Sequence, residues 1–306
     1  MYKWHLKFTI VSGKITNVIR KFSLNFSYFY NLKLIILKKT ISLFTFLIIG
    51  FCSFAQSYSP DSVIKSSHNH ADTLLSYRNF YNNSTKSNTI SIQHSDTLSS
   101  ENGRNIDLYS FGKADSCIFI IGGIHGNEPS GIELAGIIIN YLKLSDDQKF
   151  KYKVLVMPIA NPDGVALNTR QNANGVDLNR NWDTKNFKEG KLNSKKGFYG
   201  GKMPFSERET RNIKSIIDFY KPFLIITLHA PYQCINYDGP AYSYAKLISN
   251  LMKFPIKSDL GYKIYGSLGI YYGLERNIPV VTVELPAKTK QWELYKLGLL
   301  KILGSK

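Results

Sequence analysis

The chain has 306 residues, 39 Lys and Arg against 22 Asp and Glu, and a formal net charge of +17. Three cysteines are too few for a disulfide framework. No internal repeat runs through the chain, and no second segment is long enough to fold alone beside one main domain.

The positive charge is uneven. Eight basic residues lie before residue 40 and no acidic residue precedes Asp61, so residues 56–306 keep +9 of the total. Lys38 and Lys39 open onto a roughly 15-residue apolar core that ends in the small residues Ser53 and Ala55. This is the layout of a secretory signal peptide over residues 1–55, cleaved after Ala55, and it predicts a periplasmic or secreted protein. An uncleaved inner-membrane anchor is the alternative, although the apolar run is short of the about 20 residues that span a bilayer. Cys52 does not suit lipid attachment, because bulky Phe51 precedes it.

Residues 56–100 are rich in Ser, Asn, Asp and His and lack periodicity, which predicts a flexible linker. His68, His70 and His94 fall there and are read as solvated. From Arg104 onward, strand patterns at Ile106–Phe111, Cys117–Gly122, Val154–Ile159, Phe223–Leu228 and Pro279–Leu285 alternate with helical patterns at 131–143, 206–220 and 241–253. Residues 101–306 therefore read as a single α/β domain with a mixed, mostly parallel central sheet flanked by helices. Cys117 falls in a strand and Cys234 in a loop after His229, and their pairing stays open.

Chemistry gathers where these strands stop. The apolar run 118–121 ends in Gly122-Gly123, and His125 and Glu128 follow three apart before a helix capped near Ser130. Side chains at that spacing share one side of a turn. The spot lies beyond the carboxyl end of a strand, where open α/β sheets bind ligands. The pair supplies two of the three protein ligands of a catalytic zinc site, or a surface hydrogen-bonding couple. Asn161-Pro-Asp-Gly164 is a turn by composition. Arg170, Asn179 and Arg180 then bring amide and forked donors suited to carboxylates, or form a solvated basic loop. The strand 223–228 ends in His229, a candidate third ligand. Glu284 ends another hydrophobic strand, where a buried carboxylate needs a cation or bound water to offset its cost.

In this order, His125-Gly-Asn-Glu128, Asn161-Pro-Asp-Gly164, Arg170, Asn179-Arg180, His229 and Glu284 resemble the zinc carboxypeptidase family over roughly residues 100–300. Arg170-Gln-Asn-Ala-Asn-Gly-Val-Asp-Leu-Asn-Arg180, Leu228-His-Ala-Pro231, Asn236-Tyr-Asp-Gly-Pro240 and Val281-Thr-Val-Glu-Leu-Pro286 are similar to its murein peptide amidase branch, the γ-D-glutamyl-diaminopimelate peptidases. The resemblance implies a hydrolase with one Zn²⁺ per chain, held by His125, Glu128 and His229. Glu284 would be the general base, Arg170 would stabilise the oxyanion, and Asn179 and Arg180 would grip a free carboxylate. Tyr262 lies 22 residues before Glu284, where relatives carry a mobile tyrosine, with Tyr265, Tyr271 and Tyr272 crowding the same stretch.

The substrate so implied is a peptidoglycan-derived peptide cut at its γ-D-glutamyl–meso-diaminopimelate bond, with no nucleic acid and no stable protein partner. Asp238 is a candidate for the amine of diaminopimelate, or a solvated loop acid. A general carboxypeptidase on L-peptides would share every catalytic residue. An acylase of the aspartoacylase or succinylglutamate desuccinylase type shares His-Gly-Asn-Glu and Asp-Leu-Asn-Arg, but the Asn-Pro-Asp-Gly turn and Val-Glu-Leu-Pro favour the peptidase. A non-catalytic cell-wall binder would need a broken site, and all six principal residues are present.

Overall fold

A computed structural model of the chain describes residues 98–145, 150–192, 197–259 and 261–304. The leader, with the linker as far as residue 97 and its His68, His70 and His94, lies outside the described residues.

Six strands form one sheet: β1 (Tyr109–Phe111), β2 (Cys117–Ile121), β3 (Lys153–Met157), β4 (Leu224–His229), β5 (Cys234–Asp238) and β6 (Val280–Glu284). Their order is β1-β3-β2-β4-β6-β5. The four inner strands run parallel, and the edge strands β1 and β5 are antiparallel to their neighbours. Parallel strands covered on both faces read as unbroken apolar runs, and Ile118 to Ile121 are all 0% exposed. Alternate side chains enter opposite faces. Ile118 and Ile120 join a core with Ile132 and Leu134 of α1 (Pro129–Leu144), Ile248 of α4 (Tyr242–Met252) and Leu299 of α5 (Trp292–Leu300). Phe119 and Ile121 join a second core with Ile213 and Ile216 of α3 (Arg208–Tyr220).

This order places the chemistry. The chain leaves β2 for β3 on one side, whereas from β4 it goes on to β5 and β6 on the other, so the strand order reverses between β2 and β4. Ligands of such sheets bind outside the carboxyl ends of the strands at the reversal. There, His229 and Glu284 are register partners at the ends of β4 and β6. Ile121, at the end of β2, pairs with Thr227, two residues before His229.

Several local expectations change. β1 begins at Tyr109, three residues later than the sequence pattern. Helix α1 starts at Pro129, whose missing N–H costs nothing in a first turn. Its N-cap is Glu128 rather than Ser130, and the Ser130 hydroxyl instead donates to the carbonyls of Pro286 (2.7 Å) and Ala287 (3.1 Å). The Asn161-Pro-Asp-Gly turn is the cap and first turn of α2 (Pro162–Leu167), with Asn161 Oδ1 accepting from the Gly164 N–H at 2.8 Å. Cys234 lies in edge strand β5, not in a loop, and Asp238 is that strand's last residue rather than a loop acid. Both described cysteines are free and buried. Among the described residues, no helix is long and apolar enough to cross a membrane.

Candidate active site

The turn after β2 is built by close approach of backbones. Gly123 has φ +59°, a conformation that a side chain disfavours. A Cβ on Gly126 would lie 1.9 Å from the carbonyl carbon of Gly164, so only glycine lets this turn meet α2. Asn161 fastens the two together, its N–H donating to the Gly123 carbonyl at 2.9 Å and its Nδ2 to the Ile124 carbonyl at 3.2 Å. The turn thereby holds His125 (3% exposed) and Glu128 over the end of β4.

Three side chains converge there. His125 Nδ1 lies 2.8 Å from Glu128 Oε1, and His229 Nδ1 lies 2.9 Å from Glu128 Oε2 and 3.1 Å from His125 Nδ1. The far nitrogen of His125, Nε2, sits 3.0 Å from Asp177 Oδ1, which is fully buried. Both carboxylates accept only, so a neutral ring must present one lone pair to a carboxylate, and with its proton on Nε2 toward the buried Asp177 that lone pair is on Nδ1, facing Glu128. Two lone pairs facing each other at 2.8 Å repel unless a cation lies between them. Two imidazole nitrogens and one carboxylate are a donor set that suits zinc, and Asp177 is the outer carboxylate that orients such a ligand. The residues therefore fit the metal.

The same electrostatics appear in the titration of these groups. Burial alone would lower the His125 pKa, but the Glu128 and Asp177 carboxylates outweigh it and raise it. Burial works the other way on Glu128, where the two histidines win and hold the carboxyl well below its usual range. Asp177 is likewise held far down against burial, by Arg170, His125 and Arg180.

Arg170 is not a free basic residue. Its Nε donates to Asp177 Oδ2 at 2.9 Å and its Nη1 lies 3.4 Å from Glu128 Oε1. Asp177 also caps the short 3₁₀ turn Leu178–Arg180, accepting from the Asn179 N–H at 3.0 Å. Asn179 Oδ1 accepts from the Leu268 N–H at 3.0 Å, which commits its oxygen and leaves the amide nitrogen as the donor. Arg180 donates to the Asn179 carbonyl at 2.6 Å and makes no ion pair among the described residues.

His125, Glu128, His229, Arg170, Asn179 and Arg180 line one cleft of about 330 Å³, together with Glu284, Asp238, Asn236 and Tyr262, while Asp177 lies buried behind them. Burial, and then repulsion from Glu128, raises the Glu284 pKa, with His229 pulling against it. Its Oε2 is buried without a hydrogen-bond partner among the described residues. Asp238 is pressed against the backbone of Gly269 and Gly273, where added Cβ atoms would fall 2.0 Å from its Oδ2 and 2.5 Å from its Cβ. Burial pushes its pKa up to about 6, and no cation or hydrogen-bond donor among the described residues offsets that. Tyr262 is half-buried and its phenol is raised by burial, with Arg180 and Arg170 pulling the other way.

The nine residues singled out from sequence therefore share one cleft. Sequence reasoning gave no role to Asp177, although it was the one acid between Arg170 and Arg180, and that was the available signal. Asn236 and Thr282 also line the cleft and were likewise not assigned. A second carboxylate group, Glu101, Glu207 and Glu209, contains no histidine, and Asn172 Nδ2 donates to Glu207 (2.7 Å) and Glu209 (3.1 Å).

A histidine–carboxylate–histidine set beside a free carboxylate and two arginines, at the reversal point of an α/β sheet, belongs to the metal-dependent hydrolases. The particular family follows from comparison: residues 82–258 match the zinc carboxypeptidase family, and the chain belongs to it. It is a zinc metallopeptidase. Murein peptide amidase A of Escherichia coli (strain K12) is 31% identical over 177 residues, which are 55% of this chain and 70% of that protein. Murein peptide amidase A of Vibrio campbellii is 33% identical over 178 residues, 55% of this chain and 68% of that protein. The crystal structure of murein-tripeptide amidase from Escherichia coli O157 superposes with a TM-score of 0.59 at 26% identity, covering 68% of this chain and 91% of that one.

Proposed function

We propose that this zinc peptidase hydrolyses the γ-D-glutamyl–meso-diaminopimelate bond of peptidoglycan-derived peptides. The observation that carries the reading is a pair of oppositely charged groups in the cleft, Arg180 in no ion pair and Asp238 without a cation among the described residues. The leaving diaminopimelate bears a free carboxylate beside the scissile bond and an amine at its far end. It would neutralise both, and an ordinary aliphatic or aromatic residue would neutralise only the first. Similarity to murein peptide amidases supports the same substrate. The leader read in the sequence would deliver the protein to it, outside the cytoplasm.

In this reading His125 Nδ1, Glu128 and His229 Nδ1 hold the zinc, which when bound supplies Lewis acidity toward a carbonyl and toward water. Glu284, with its unpartnered oxygen at the end of β6, accepts a proton from the attacking water and returns it to the departing amine. A raised carboxyl pKa suits both halves of that exchange. Arg170, fixed by Asp177, directs N–H groups at the oxygen that gains charge as the amide carbon becomes tetrahedral. Asn179 and Arg180 hold the carboxylate of the leaving residue, Asp238 pairs with its distal amine, and Tyr262 closes over the cleft. Hydrolysis leaves a γ-carboxylate on glutamate and a free amine on diaminopimelate. The test is competitive: L-Ala-γ-D-Glu-meso-diaminopimelate is offered together with L-peptides ending in Phe, Leu, Lys or Glu. Release of free diaminopimelate with little attack on the others is expected. Preferential release of an ordinary L-residue would overturn the reading in favour of a general carboxypeptidase.

A further inference from the structure

The two arginines of the cleft share a neighbour that has no part in the chemistry so far. The guanidinium carbon of Arg180 lies 4.8 Å from the ring centroid of Phe198, and that of Arg170 lies 5.3 Å from it. Tyr262 stacks on the same residue, with centroids 5.7 Å apart and ring planes 22° from parallel. Phe198 thus contacts both arginines and the tyrosine.

Its backbone is fixed to the arginine block from both sides. Gln171 Nε2 donates to the Gly197 carbonyl at 3.0 Å, and the Asp177 N–H donates to the Tyr199 carbonyl at 2.8 Å. The ring is carried by the same hydrogen bonds that hold the segment containing Arg170, Asp177 and Arg180. Only half-buried, it is no ordinary core residue.

An aromatic ring suits this position for a physical reason. A carboxylate beside Arg180 would fix the guanidinium but neutralise it and occupy the in-plane N–H groups that a substrate needs. A ring attracts the cation through its face, so the N–H fork stays open for bidentate contact. Arg170 already has Asp177 as an anchor, whereas the Arg180 side chain has one hydrogen bond, to a carbonyl, among the described residues.

We propose that Phe198 is a positioning residue, a shared cation–π platform that holds Arg170 and Arg180 in substrate-receiving orientations and seats Tyr262 beside them. The proposal rests on the reading that these arginines act on substrate, but not on which peptide is cleaved.

The test compares Phe198→Leu and Phe198→Met, which keep apolar bulk without a π face, with Phe198→Tyr, which keeps the face. Each is made in the full-length zinc-loaded protein and assayed on whichever carboxylate-ended peptide the parent cleaves best. Leu and Met should each lower kcat/KM by roughly tenfold, raising KM through Arg180 and lowering kcat through Arg170, with zinc content unchanged. Tyr should stay within about threefold of the parent on the same scale. The second readout needs no activity and no variant at Phe198. In the parent, the guanidinium NMR signals of Arg170 and Arg180, assigned with Arg→Lys variants, should be displaced upfield by the ring. Undisplaced signals overturn the proposal even where the Leu and Met proteins fail to fold. Equal losses in Leu, Met and Tyr, or losses in none, overturn it as well. A Leu–Tyr difference on a peptide lacking diaminopimelate would leave this inference standing while the substrate reading fell.

Discussion

The two ends of the cleft treat charge in opposite ways. Around the metal-binding group most charges have a partner among the described residues: Glu128 between two histidines, Asp177 between His125 and Arg170, Arg170 between two carboxylates, with Glu284 Oε2 the unpartnered exception. At the recognition end, Arg180 and Asp238 are held in place by backbone and ring contacts, and neither has an opposite charge paired with it among the described residues. The first arrangement preorganises a reaction centre, because orientation is fixed before substrate arrives. Under the proposed function the second withholds compensation until a ligand supplies it, and discrimination grows when a wrong ligand leaves such groups unpaired.

The largest effects are expected at the metal-binding end. His229→Ala removes one of three converging donors, and elemental analysis should find far less than one zinc per chain. Full occupancy would take His229 out of the site. Glu284→Gln should keep the zinc and the substrate affinity but lose about a thousandfold or more in kcat, since an amide cannot accept the proton. A variant that retains most of its turnover places the base elsewhere. Asp177→Asn comes next. It weakens the orientation of His125 and Arg170 together, so activity or zinc affinity should fall about 10–100-fold. A change smaller than threefold would mean that the buried network is not what aims these groups. At the recognition end, Arg180→Ala should impair peptides with a free terminal carboxylate and leave their amidated counterparts nearly unaffected. An equal loss on both would remove its role as carboxylate clamp.

The contrast also explains what was legible in the sequence. The metal group was readable because parallel strands buried on both faces become unbroken apolar runs, and a polar residue ending such a run stands out. His229 and Glu284 each close one, and the glycines ahead of His125 announce the turn. Edge strand β5 was not readable. Cys234-Ile-Asn-Tyr-Asp238 is short, mixes polar with apolar residues and is bounded by Pro231 and Gly239-Pro240, which is also what a loop looks like. The position of Asp238 against the π-helical turn Gly269–Leu274 is a contact across more than thirty residues that no local pattern carries. Phe198 belongs to the same class, because cation–π contacts leave no spacing in the chain. Tyr262 came from resemblance alone, and its stacking on Phe198 is information of the structure. Helix α5 follows the lysine-rich stretch 287–291 and went unread for want of a sharp start signal.

The smallest effect is the one that bears most directly on the central claim, that the recognition end keeps a carboxylate uncompensated for a substrate cation. The pKa of Asp238 is raised from an ordinary 3.8 to about 6 by burial. The folded state therefore carries no penalty below pH about 4, the unfolded pKa, and the full penalty above pH about 6. Discounted for partial exposure, this is on the order of 2 kcal/mol. The measurement is the thermal midpoint of the parent and of Asp238→Asn at pH 4 and pH 8, with and without the diaminopimelate tripeptide in the Glu284→Gln background. Without ligand, Asp238→Asn should melt a few degrees higher than the parent at pH 8 and level with it at pH 4. Saturating tripeptide at pH 8 should stabilise the parent more and narrow or reverse the gap. Equal midpoints at pH 8, or equal stabilisation of both proteins by the tripeptide, would contradict the account.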